Sequence, residues 1–129
     1  MRFSRCDMRI FHNTLSAFAA TLLLTALPAT AATFLTEQQL LATFPGHTVN
    51  SKTDKGVPWA QAYGKGKKKG AIAGKFDGKD YKATWFVQNG MWCENWGDGE
   101  ACWQVEDAGK GKYRMYKDGK PRPNLWAVR

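Results

Sequence analysis

The sequence predicts a mainly β protein: an antiparallel meander of seven to eight strands, closed or nearly closed into a barrel-like sheet, with one short N-terminal helix. Three observations carry this. From His47 onward, short runs rich in aromatic and β-branched residues are separated by glycine-containing turns at intervals of about ten residues. Asp77-Gly78, Asn89-Gly90 and Asp118-Gly119 suit tight hairpins, whose central residues need positive φ. Cys93 and Cys102 stand at a spacing that a hairpin can bring face to face.

The first segment reads as a cleavable leader. Arg2, Arg5 and Arg9 precede an apolar run from Leu15 to Leu27, then Pro28 and the small-x-small string Ala29-Thr30-Ala31. A charged region, a short apolar region and a small-residue site form a signal peptide, here residues 1–31, cut after Ala31. A membrane anchor is the competing reading, but a span needs about 20 apolar residues and this run is shorter. No cysteine lies at the junction, which argues against lipid attachment there. The sequence therefore predicts a periplasmic or secreted protein, residues 32–129, with no membrane span after cleavage.

Removing residues 1–31 takes three Arg and one Asp, leaving sixteen basic against ten acidic side chains, a net charge of +6. A chain of this size forms one domain with a limited core, so a covalent staple matters. In an exported domain, Cys93 and Cys102 read first as a disulfide. Their spacing is too wide for a C-x-x-C redox motif, and His47 is the single histidine left to complete a metal site. No metal or other cofactor is expected.

The elements follow in order. Leu35-Thr36-Glu37-Gln38-Gln39-Leu40 begins a helix: Thr36 caps it, Gln39 completes a capping box, and Leu35 can staple onto Leu40. Pro45-Gly46 stops it at Phe44. Strands are expected over 47–52, 57–63, 71–76, 80–88, 91–96, 101–106, 112–117 and 124–128. Pro58 and Pro121 belong at strand starts or edges, where a missing N–H is tolerated.

Turn positions fix the register. A two-residue loop at Asn89-Gly90 makes paired residue numbers sum to 179, setting Val87 against Trp92, Phe86 against Cys93 and Trp85 against Glu94. A two-residue loop at Gly97-Asp98 makes the next sum 195, setting Cys93 against Cys102 in a non-hydrogen-bonded pair, where Cα atoms sit about 4.5 Å apart. Tyr81, Ala83, Trp85, Val87, Trp92, Glu94, Trp96, Ala101, Trp103 and Val105 then share the core face. The opposite face is dominated by polar residues, with the two cysteines and Phe86 among them.

The string Phe44-Pro45-Gly46-His47-Thr48, the Trp85 strand, Asn89 to Trp96, Cys102-Trp103 and the Tyr113 to Gly119 segment together form an ordered set. In this order they resemble the small exported bacterial proteins grouped as domain of unknown function 995, over most of residues 32–129. The resemblance implies no activity, catalytic residue or ligand.

Catalytic chemistry has few candidates. Ser51 is the single serine and His47 the single histidine of residues 32–129, which excludes an ordinary Ser-His hydrolase. His47 follows a helix C-terminus and is expected to be structural. Asp77, Asp98 and Asp118 occupy turns. Glu94 differs, since the register puts it on the tryptophan-rich face, where burial raises a carboxyl's pKa unless a cation reaches it. It reads either as a ligand-orienting or acid group in an aromatic pocket, or as an acid paired with a basic residue at the sheet rim. No second acid is placed as its partner for glycoside hydrolysis.

All six tryptophans lie in residues 32–129. Trp85, Trp92 and Trp103 are expected in the core, and Trp59, Trp96 and Trp126, near strand ends, are candidates with Glu94 to line a ligand pocket. The run Gly64-Lys65-Gly66-Lys67-Lys68-Lys69-Gly70 is expected to be a mobile solvated loop. Lys65, Lys67, Lys68 and Lys69 are candidate anion-binding residues. An exported protein meets little nucleic acid, so the expected partner is an anionic polysaccharide or other envelope component. The resulting expectation is a non-enzymatic binding module for such a component. The alternative is a protein-interaction module with one protein partner, such as an inhibitor or immunity factor against an exported hydrolase.

Overall fold

The computed structural model describes Ala26 and residues 32–129; the leader expectation falls outside the described residues. One helix, α1 (Glu37–Thr43), precedes nine strands. These are β1 (Thr48–Lys52), β2 (Pro58–Tyr63), β3 (Lys69–Phe76), β4 (Lys79–Gln88), β5 (Met91–Asn95), β6 (Glu100–Gly109), β7 (Lys112–Lys117), β8 (Lys120–Pro121) and β9 (Trp126–Val128). Each of β1 to β7 pairs antiparallel with the next. β9 then pairs with both β7 and β1 and closes an eight-stranded barrel. β8 is the extra strand, on the edge of β7 beyond β9. Closure leaves no long unpaired edge, and eight strands enclose an interior that side chains nearly fill.

The local chemistry of α1 is the expected one. The Thr36 hydroxyl accepts from Gln39 N–H, and the Gln39 side chain accepts from Thr36 N–H. Leu40 and Phe44 are fully buried and plug one end of the barrel. The Phe44 ring packs at 4.8 Å from Trp92, 5.6 Å from Tyr113 and 6.0 Å from Tyr63. Ahead of the helix, Phe34 bridges Glu106 and Leu35 N–H donates to Val105 C=O, a contact with β6 that no local pattern announces.

Both predicted registers hold. Trp85 faces Glu94, Phe86 faces Cys93 and Cys93 faces Cys102, which form a disulfide with Cα atoms 4.1 Å apart. Asn89 and Gly90 both have positive φ, as the tight turn requires. Closing so short a loop contributes about 2.5 kcal/mol through the unfolded chain.

Several boundaries differ from expectation, each for a local reason. β5 ends at Asn95, one residue early, because the Asn95 side chain accepts from Gly97 N–H and turns the chain. Four residues therefore connect β5 to β6, and Trp96 leaves the core face, 40% exposed. β6 runs on to Gly109 through a bulge at Asp107, and Lys110-Gly111 makes the turn. β3 starts at Lys69 rather than Ala71, so the lysine run is not a free loop. Gly64 N–H donates to Ala71 C=O, and Val87 N–H donates to Lys68 C=O. Lys68 also pairs with Glu37 at 3.2 Å. The last predicted strand, 124–128, shortens to β9, and β8, which pairs with the end of β7 across the Asp118-Gly119 turn, was not expected.

Candidate functional site

Alternation along each strand decides what enters the barrel. Trp59, Gln61 and Tyr63 of β2 point inward, as do Ile72 and Gly74 of β3, Trp92 and Glu94 of β5, and Trp126 of β9. At the helix end the interior is solid: Trp85 and Trp92, both fully buried, stack with ring centres 4.9 Å apart and 16° between planes. At the other end a cavity of about 1120 Å³ opens between the β1–β2, β3–β4 and β5–β6 connections and the segment after β8. Trp59, Trp126, Trp103 and Trp96 form a continuous edge-to-face chain along its wall, with centroids 5.1, 5.3 and 6.0 Å apart. Asp54 and Arg122 form an ion pair at its rim, and Asn124 donates to Thr53 C=O beside them.

Two glycines of β3 shape the interior. A side chain at Gly70 would meet the Trp85 ring at 2.5 Å, and one at Gly74 would meet the Tyr81 ring at 2.1 Å. Each glycine faces its aromatic directly across the β3–β4 ladder. The rings lie flat over bare backbone, Trp85 reaching on to donate to Gly64 C=O at 2.8 Å. Tyr81 extends over Gly74 toward Gln61, the partner of Gly74 on the other side.

The inner end of the cavity is polar. Glu94 is fully buried; its Oε1 accepts from the Tyr63 hydroxyl and from Trp92 Nε1 at 3.1 Å, and its Oε2 accepts from Gln61 Nε2 at 3.2 Å. Gln61 Nε2 also donates to the Tyr63 oxygen at 3.3 Å. Gln61 is 3% exposed, and its Oε1 has no partner. No Lys, Arg or His forms an ion pair with Glu94 among the described residues; the three ion pairs there all involve partly exposed side chains.

Burial without a cation raises the Glu94 carboxyl from its usual 4.5 to about 7, even though the Tyr63 and Trp92 donors pull it down. Desolvation and then the nearby Glu94 charge push the Tyr63 hydroxyl well above its ordinary value. The same two causes push Tyr81 up to about 12. Near neutral pH both tyrosines keep their protons while Glu94 titrates.

Of the sequence candidates, the structure gathers Glu94, Trp59, Trp96 and Trp126 around one cavity. It puts Lys65, Lys67, Lys68 and Lys69 at the other end of the barrel. β3 runs from Lys69 to Phe76 at the cavity mouth, a rise of about 23 Å at about 3.3 Å per residue. The lysines and these aromatics therefore lie at opposite ends of the barrel. Trp126, expected near an opening, is 7% exposed and reaches both core and cavity. Trp103, expected in the core, also lines the cavity. His47 is exposed, and its C=O accepts from Tyr63 N–H. Sequence reasoning missed Gln61 and Tyr63, and put Tyr81 on the core face without a role in the site; the alternation Trp59-x-Gln61-x-Tyr63 was the signal that an amide faces inward. No family model matches the chain, and no curated protein or solved structure does.

Proposed function

We propose that the protein is an exported, non-enzymatic binding module and that the barrel cavity is its ligand site. The observation that carries this reading is Gln61 Oε1, a buried acceptor without a partner at the inner end of a tryptophan-walled cavity. An unmade buried hydrogen bond costs about 1–3 kcal/mol, which a ligand donor at that position recovers. The other acids lining the cavity, Asp54, Asp77, Asp80 and Asp98, lie on or beside the connections at its mouth, away from Glu94. That arrangement suits orientation of a bound molecule better than attack by a carboxylate pair. Export is supported by the leader pattern and by a disulfide, which persists in oxidising compartments.

A neutral solvatochromic dye, Nile red, tests the cavity. Saturable one-to-one binding with energy transfer from tryptophan is expected, weakened at least tenfold by Trp103→Ala. Absence of saturable binding to the folded protein overturns the reading.

The basic loop supports a second, separate surface for an anionic polysaccharide or other envelope polymer. Lys65, Lys67 and Lys69 are exposed and make no ion pair among the described residues, whereas Lys68 is held by Glu37. Retention on immobilised polygalacturonate is expected to fall steeply as salt rises, and to weaken in a variant with Lys65, Lys67 and Lys69 changed to Gln. Retention indifferent to salt rejects this surface.

A further inference from the structure

We infer that the cavity takes a small organic cation, an amine or ammonium group on an apolar body, with the nitrogen against Glu94 and Gln61 and the body among the tryptophans. This rests on the reading of the cavity as a ligand site and names the class of ligand.

The donors in contact with Glu94 are all engaged: the Tyr63 hydroxyl and Trp92 Nε1 donate to Glu94, and Gln61 Nε2 donates to Glu94 and Tyr63. What remains free is acceptor capacity, on Gln61 Oε1 and on Glu94 Oε2, which receives one bond. A carboxylate, phosphate or sulfate placed there would face a like charge, with the Tyr81 hydroxyl and the indole N–H groups of the outer wall as the donors left to it. A group rich in N–H donors finds two oxygens.

A buried carboxylate without a cation is costly, and a bound ammonium supplies the missing partner in the interior, where attraction is strongest. Four tryptophans in edge-to-face contact present ring faces and edges around one space, and a cation within about 6 Å of an indole face is attracted by its quadrupole. The rim carries both signs, Lys52, Lys79 and Arg122 beside Asp54, Asp77 and Asp98, so selection falls to the interior. Glu94 is fully buried, so binding displaces a covering side chain. We assign that cover to Tyr81, which lines the cavity and lies over Gly74 toward Gln61.

Three probes with one aromatic body separate the outcomes: 2-phenylethylammonium, 2-phenylethanol and 3-phenylpropanoate, titrated calorimetrically into oxidised protein at pH 8. The cation is expected to bind about tenfold or more tighter than the alcohol, the carboxylate weakest, in keeping with a desolvated cation–π contact plus an ion pair. Glu94→Gln, a near-isosteric change, should abolish the preference for the cation over the alcohol. Equal or tighter binding of the alcohol or carboxylate overturns the cation assignment, as does Nile red binding with no response to any of the three. Failure of Nile red as well sinks the cavity reading itself.

Discussion

Between pH 5 and pH 8 the protein is expected to lose about 2.5 kcal/mol of unfolding free energy through Glu94 alone. Its carboxyl titrates near 4.5 when unfolded and at about 7 when folded, so the folded state holds the proton more tightly. A group with its folded value raised in this way stabilises fully below the unfolded value. That contribution shrinks as pH climbs from 4.5 to 7 and is gone above 7. Tyr63 and Tyr81 contribute nothing in this window, since both are pushed further from neutrality. Urea unfolding at pH 5, 6, 7 and 8 checks the slope, and Glu94→Gln should flatten it and stabilise the protein at pH 8. A stability that rises with pH over this range, or a Glu94→Gln variant with the same slope as the parent, contradicts the account.

Gly70→Ala is expected to cost about 3 kcal/mol, the upper end of what overpacking a core costs. The added methyl would lie 2.5 to 2.9 Å from three atoms of the Trp85 ring. That ring has nowhere to go: it is fully buried, stacked on Trp92 and hydrogen-bonded to Gly64 C=O. Gly74→Ala meets Tyr81 even more closely, yet Tyr81 is only half-buried and can swing toward the open cavity, so a smaller loss is expected. Gly78→Ala is the control: nothing lies within 4 Å, and only its φ of +75° resists, at about 1 kcal/mol. Urea midpoints followed by tryptophan fluorescence rank the three. A Gly70→Ala protein within 1 kcal/mol of the parent would show that Trp85 is not pinned.

Adjacent-strand relations were legible because they are local. The sums 179 and 195 follow from turn position alone, and they placed Glu94 on the inward face and the cysteines opposite one another. Relations across the barrel were not. Nothing in β9 announces that Trp126-Ala127-Val128 pairs with both β7 and β1, because closure depends on the accumulated tilt of eight strands. The same limit hid the Gln61–Glu94 hydrogen bond, which joins residues 33 apart in sequence on strands that are not neighbours. The lysine run misled for another reason. Its composition describes side chains that want water, while its backbone is tied to Ala71 and Val87 by hydrogen bonds that composition does not encode. Gly70 and Gly74 read as weak points in a strand, yet they are the positions that let two aromatic rings lie flat.

The claim on which the ligand assignment turns is that Glu94 sits inside the barrel without a resident cation. A ¹³C-detected NMR titration of the Glu94 carboxyl reads this at the atom concerned. A midpoint near 7, moved downward when 2-phenylethylammonium is bound, is the predicted result. A midpoint near 4.5, or one that the bound amine leaves in place, would contradict it.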